Sequence, residues 1–454
     1  MKSTGLIASL LAAAALILAP GTAHAHLHLT ASEPAAGTTV SAAPAAIRLS
    51  FSEGVELGFS DLSLIGPLGE VRIGDLAVPV DSPEVLEVRV LGKLVAGEYT
   101  VRWQAASADG HPMRGEYTFA VAEGATGLAA PTATPPPPPP APTAAPAEAS
   151  HFGVESPGYV AVRWGTFVAL LAVIGAVAFR LLVLGRLRKE EELVAAAAPR
   201  AAQLGLWAAA LLLVAAFLRL AAQSVAILGD AAGADRIGGI VLGTLWGMGW
   251  MLQVGGTLLA LAGFILARRG ADLGWLFAAL GAVILAFFPA LSGHAASTGT
   301  LQSVSIVADG LHVFGAGGWL GSLLFVLVVG LPAAARSDPR GKRGALAAMV
   351  AAFSAIALAF VSIVVLTGLL ASWIHLGSFS ALTASRYGKT LLVKLAVVVL
   401  VAVAGHFNWR RLGPALKDGE GSARLQRSAA FELAAGLLVL AVTAALVATP
   451  LPPH

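Results

Sequence analysis

Two hydrophobic periods divide this chain. Between residues 26 and 124, apolar and polar positions alternate over short runs. Ile47-Arg48-Leu49-Ser50-Phe51 and Tyr99-Thr100-Val101-Arg102-Trp103 each place every second side chain on one face. A period of two marks a strand buried on one side. Asp61–Ile65, Val85–Val90 and Glu116–Val121 add further short strands, separated by turn residues at Gly66-Pro67, Gly92 and Ala96-Gly97. This spacing predicts an all-β domain, an Ig-like or cupredoxin-like Greek-key β-sandwich. After residue 151 the alternation gives way to long apolar runs. Eight can cross a bilayer as helices, at about 158–184, 203–228, 240–267, 273–291, 310–331, 345–373, 390–408 and 429–448. This half is predicted to be an all-α, polytopic membrane domain.

Two segments fit neither pattern. Residues 1–25 combine Lys2, an apolar stretch over Leu6–Leu18 and a small-x-small site at Ala23-His24-Ala25, which together read as a signal peptide. Cleavage there makes His26 the mature N-terminus. Residues 125–150 contain an unbroken proline run from Pro135 to Pro140. That run predicts an extended spacer of ~3.1 Å per residue, which would let the β-domain range over the membrane surface without being fixed to it. The expected organisation is a β-domain over 26–124, a linker over 125–150 and a membrane domain over 151–454.

Composition and charge sharpen this division. The chain of 454 residues is 57% hydrophobic and only 12% charged, where soluble proteins carry about 25% charged residues. Residues 26–123 hold 6 Lys+Arg and 13 Asp+Glu, giving −7 in a chain whose total is +3. An acidic soluble part is therefore joined to a basic membrane part. The basic residues fall in alternate loops: Arg186, Arg188 and Lys189; Arg268 and Arg269; Arg336, Arg340, Lys342 and Arg343; Arg410, Arg411, Lys417, Arg424 and Arg427. By the positive-inside rule these loops are cytoplasmic. The β-domain then lies outside a bacterial inner membrane, as the signal peptide independently requires. The chain has no cysteine, which excludes disulfides and thiolate chemistry.

Any metal site must therefore use His, carboxylates, Met or the chain terminus. A terminal His26 offers its amine and imidazole to one ion, a chelate suited to Cu(II). His28 lies two residues on. In Ser107-Ala108-Asp109-Gly110-His111-Pro112, Asp109 and His111 bring a carboxylate and an imidazole to one turn. In the membrane half, His294 ends the fourth span, Asp309 and His312 open the fifth at i and i+3, and His375 ends the sixth. With Met248 and Met251 of the third span they are expected to ring an external entrance at the outer membrane edge, Met suiting Cu(I) and imidazole either oxidation state. Deeper lie Arg219, Gln223, Lys394, His406, Asn408 and Glu432. Charges in spans are costly and face the bundle interior. For Arg219 the expectation is an ion pair with a carboxylate.

The first half resembles the CopC copper-binding family. The resemblance rests on His26 after Ala-His-Ala, Ser32-Glu33-Pro34-Ala35-Ala36-Gly37, Leu49-Ser50-Phe51-Ser52-Glu53, and Ala106 to Pro112 followed by Gly115. It implies Cu(II) ligation by His26, Asp109 and His111, with Glu53 nearby. Some CopC proteins also hold Cu(I) in a Met-rich loop, but Leu62–Val80 has no Met and Met113 alone does not rebuild that site. The second half is similar to the CopD family through Ser292-Gly293-His294-Ala295, Asp309-Gly310-Leu311-His312 with Trp319-Leu320-Gly321, Ser385-Arg386-Tyr387-Gly388 with Lys394, and Pro450. The joint resemblance implies copper binding outside the membrane and copper transport, by import or in tolerance. The implied partners are copper, the lipid bilayer and an unidentified external copper donor protein, with no nucleic acid. No nucleotide-binding loop is present, so transport would be passive or coupled to protons or redox. Three other readings stay open here. One is a haem-containing redox protein built on His294, His312 and His375. Another is an oxidative copper enzyme, against which Asp109 argues by favouring Cu(II). The third is sequestration without transport. A non-enzymatic role is the expectation.

Overall fold

The computed structural model describes residues 27–108, 110–123, 128–129, 156–187, 189–229, 233–336, 339–407, 422–449 and 451. The expected signal peptide, His26, Asp109 and most of the expected linker lie outside the described residues.

The first domain is a two-sheet sandwich, as the alternation predicted. One sheet runs in the order β1 (Leu29–Glu33), β4 (Ala46–Phe51), β8 (Val85–Val90), β7 (Ile73–Ala77). The other runs β2 (Thr39–Val40), β10 (Pro112–Val121), β9 (Gly97–Ala106), β5 (Asp61–Gly66), β6 (Gly69–Glu70). Alternate residues enter the core: Ile47, Leu49 and Phe51 from β4, Tyr99, Val101 and Trp103 from β9, Tyr117 and Phe119 from β10. Phe51 meets Trp103 edge to face at 5.2 Å, and Tyr99 stacks on Phe119 at 5.4 Å. A short parallel pair joins β3 (Ala43–Pro44) to β11 (Leu128–Ala129). The β-domain thus reaches into the segment whose composition marks a linker. Backbone pairing needs no particular side chain, so composition did not reveal it.

The second domain has eight helices long and apolar enough to cross a membrane, with mean hydropathies of 1.8 to 2.7. Its helices are α1 (Pro157–Ala178), α2 (Glu191–Leu228), α3 (Ala234–Gly243), α4 (Leu245–Arg268), α5 (Leu273–Leu291), α6 (Gln302–Ala316), α7 (Pro339–Leu376), α8 (Arg386–Phe407) and α9 (Ser422–Val447). The span begun by α6 stays helical to Ala334 through two π-turns. Close approach fixes one crossing: a Cβ on Gly175 of α1 would strike the backbone of Gly321, and one on Gly321 the carbonyl of Leu171.

Three boundaries differ most from expectation. The second span starts at Glu191 instead of near 203. The predicted third span contains a break at Thr244, whose extended backbone (φ −133°, ψ 155°) separates α3 from α4. Its hydroxyl accepts from Gly247 N at 2.9 Å and donates to Ile240 O at 2.7 Å, capping one helix while holding the other. The fifth span starts at Gln302 instead of near 310. The polar residues Gln302, Ser303 and Ser305 hide its first turns from a hydropathy reading.

The β-domain is docked on the membrane domain, at the span ends opposite the basic loops. This corrects the expectation of a domain free to range. Phe59, in the turn Leu57–Phe59, and Ala106 of β9 are buried with Ile227 and Leu228 of α2, Ile240 of α3 and Trp246 of α4. Arg114 donates to the carbonyls of Ala226 and Ile227 at 3.4 and 3.3 Å, capping the C-terminal end of α2. Arg236 pairs with Asp61 at 3.1 Å.

Candidate functional site

The ten-residue register of β9 against β10 places the turn 107–111 at one end of their hairpin. Gly110 N donates to Ser107 O at 3.0 Å, and Gly110 has φ +76°. This conformation is open to glycine without steric cost. The turn faces the membrane domain. Gln223 of α2 donates from Nε2 to Gly110 O at 2.8 Å, and its Oε1 accepts from the Tyr159 hydroxyl at 3.0 Å. The next residue, His111, is thereby held at the interface and is 5% exposed.

Its imidazole stacks on that of His294, with centroids 6.0 Å apart and planes 18° off parallel. His294 occupies a 3₁₀ turn just after α5 and is 6% exposed. Beyond it stand His375, at the end of α7, and Tyr387, near the start of α8, with centroids 6.1 and 5.9 Å from His294. Nδ1 of His375 is 3.1 Å from the Tyr387 hydroxyl. The sequence reading placed three of these four rings, and the structure brings them together. Tyr387, within Ser385-Arg386-Tyr387-Gly388, is the fourth ring. Its neighbours in sequence are charged or glycine, so only packing shows that it joins the cluster. Among the described residues, no three His, Asp or Glu side chains close around one point. The arrangement is a row of single donors.

Below the row lies a cavity of about 700 Å³. His294, His375 and Tyr387 line it, as do Asp309, His312, Lys394, Arg163 and Arg219. Asp309 and His312 do not open their span at the outer edge, as expected. They sit seven and ten residues after Gln302, ~10–15 Å along the helix at 1.5 Å per residue. Lys394 is at a similar depth on α8 and interacts electrostatically with Asp309. His312 Nδ1 lies 3.0 Å from Thr367 Oγ1.

Several expected participants stand elsewhere. Met248 and Met251 are 48% and 40% exposed on α4 and do not line the cavity. Glu53 is partly buried just after β4, and His28 is exposed. Glu432 is 5% exposed and faces Gly405, off the cavity lining. The side chain of His406, and Asn408, lie outside the described residues. Arg219 lines the cavity, but among the described residues it pairs with no carboxylate: it donates to Gln253 Oε1 and to Ser292 Oγ at 2.9 Å, and lies over the rings of Trp246 and Phe288. The sequence pattern showed which residues are polar but not which helices adjoin.

One interface carboxylate is electrostatically perturbed. Glu56 is raised above the ordinary carboxylate pKa because docking desolvates it, an effect partly offset by the Leu245 N–H at 3.5 Å.

Comparison with known proteins agrees with this architecture. Residues 29–122 match the CopC domain, 154–304 the N-terminal domain of copper resistance protein D-like proteins, and 347–446 copper resistance protein D. The copper transport protein CutJ of Bacillus subtilis is 28% identical over 454 residues, covering 97% of this chain and 77% of that protein. Protein YobA of Escherichia coli is 45% identical over 98 residues, 21% of this chain and 79% of its own length. Copper resistance protein C of Pseudomonas syringae is 36% identical over 114 residues, 24% of this chain and 90% of its own. With a β-sandwich ahead of eight apolar helices and a domain match on each, the chain belongs to the copper-resistance proteins in which a CopC domain is fused to a CopD membrane domain.

Proposed function

We propose that this protein captures Cu(II) outside the bacterial inner membrane and passes copper inward through the membrane domain, acting as a carrier and not as an enzyme. The capture ligands are the amine and imidazole of His26, with Asp109 and His111, and Glu53 close by. The observation that carries the reading is the stack of His111 on His294. A ligand of the capture turn stands one ring away from the first imidazole of the membrane domain, and His375 stands one ring further. Imidazole serves copper in either oxidation state, so the row suits hand-over of Cu(II) or of Cu(I) formed by reduction outside. An external copper donor protein would meet the exposed side of the β-domain.

The test compares cytoplasmic and envelope copper at low external copper, in a null strain and in strains expressing wild-type protein or His294→Ala. Wild type is expected to raise cytoplasmic copper severalfold. His294→Ala is expected to abolish that rise while purified protein still binds one Cu(II). A rise confined to the envelope in wild type means sequestration. Wild-type import by His294→Ala removes the relay.

A further inference from the structure

The charge of the cavity does not suit a bare metal cation. Among the described residues its lining holds three cationic side chains, Arg163, Arg219 and Lys394, against one carboxylate, Asp309. Asp309 and Lys394 offset each other, which leaves the two arginines. Arg219 is 6% exposed, and none of its described partners is a carboxylate: Gln253, Ser292 and Tyr159, and the faces of Trp246 and Phe288 at 5.3 and 5.2 Å. Arg163 lies 4.8 Å over the ring of Tyr159 and donates to Ala444 O at 3.3 Å. The two guanidinium groups are close enough to act on each other electrostatically. A charge at membrane depth ordinarily has an opposite charge beside it. Here two like charges share a cavity wall, with no carboxylate among their described hydrogen-bond partners.

We propose that Arg163 and Arg219 form an oxyanion site in this cavity, which takes the carboxylate or phosphate group of a small anion. The forked guanidinium matches both groups in geometry. A volume of about 700 Å³ leaves room for an organic anion. Occupancy brings the lining toward neutrality, so that a copper ion and its counter-ion fit where a lone cation is repelled. That last consequence rests on copper import, whereas the anion site itself does not.

The experiment uses the full chain, purified in neutral detergent without copper. Equilibrium dialysis against labelled citrate and labelled inorganic phosphate is expected to show saturable binding at one site per chain. Affinity should fall at least tenfold in Arg219→Gln and in Arg163→Gln, and recover in part in Arg219→Lys, which keeps the charge without the fork. Native mass spectrometry forms a second arm. One anionic phospholipid retained by wild type and lost from both Gln variants assigns the same chemistry to a lipid headgroup. Neither anion nor lipid bound by protein that elutes as a single species overturns the site, as does equal binding by wild type and both Gln variants. Should Arg219→Gln fail to purify, Arg163→Gln carries the comparison, since that side chain is less buried. With no copper present, failure of import and failure of this site are separate results.

Discussion

At Gly110 a single missing methyl group sets the turn between β9 and β10 against the membrane domain. A Cβ there would stand 2.8 Å from Nε2 of Gln223 and 3.3 Å from the Trp246 ring, and φ of +76° adds ~1–2 kcal/mol of strain for any other residue. Gly110→Ala is therefore expected to undock the domain without unfolding its sandwich. The cysteine-free chain makes this measurable: spin labels on Leu68→Cys and Leu242→Cys, both highly exposed, should give one narrow distance in wild type and a broad distribution in the variant. An unchanged narrow distance would show that the turn is not held by this contact. Glu56 adds a pH dependence. Its pKa is raised on docking by burial, so the docked state prefers the protonated form. Its support for docking is complete below the ordinary carboxylate range and is lost as pH rises through the raised value. The same distance distribution should narrow on acidification into that window and become pH-independent in Glu56→Gln. The candidate imidazoles His111, His294 and His375 stand out in sequence because few histidines exist in so apolar a chain. Tyr387 does not, because a tyrosine near a helix start has many bland uses.

At the scale of elements, the sequence reads best where one face is buried. Alternation located β4, β5 and β8 nearly to the residue, and the middle of β9 and the second half of β10, since a one-residue slip would turn their apolar sets to solvent. It missed β1 and β7, where the exposed sheet edges relax the pattern. Spans were legible in number because bilayer thickness sets their length. The Thr244 break was not, since Gly243-Thr244 interrupts the helix without interrupting hydropathy. Helix crossings were also hidden. At α1, Gly175 faces Gly321 backbone to backbone, so Gly321→Leu meets atoms that cannot swing aside. Its cost should reach or pass the ~3 kcal/mol end of overpacking effects, seen as aggregated protein on size exclusion. A folded variant with wild-type thermal stability would refute the crossing.

For the whole molecule, the question is what holds the two domains together. Phe59 is 1% exposed at the interface, outside the sandwich core. Losing a buried Phe costs ~3 kcal/mol or more, about 100-fold in the docked ratio. The Arg236–Asp61 pair is 42% and 57% exposed at the rim, where such pairs contribute ~0–1 kcal/mol. Phe59→Ala should therefore release the domain in the spin-label measurement while Arg236→Ala leaves it docked. The opposite order would mean that rim charge, and not apolar burial, sets the docking. Nothing in the linear sequence announced this contact. A Phe in a short turn and a Trp at a helix start become one patch only when folded.

The seating of the capture turn over His294 has a kinetic consequence under the proposed import. Where the loading point and the entrance share one small surface, each ion must clear before the next is admitted, as in a queue with one server. Throughput then levels off at the clearance rate of that row, however much copper is supplied. Such a protein would feed a cell that is short of copper and, by the same geometry, ration one that is surrounded by it.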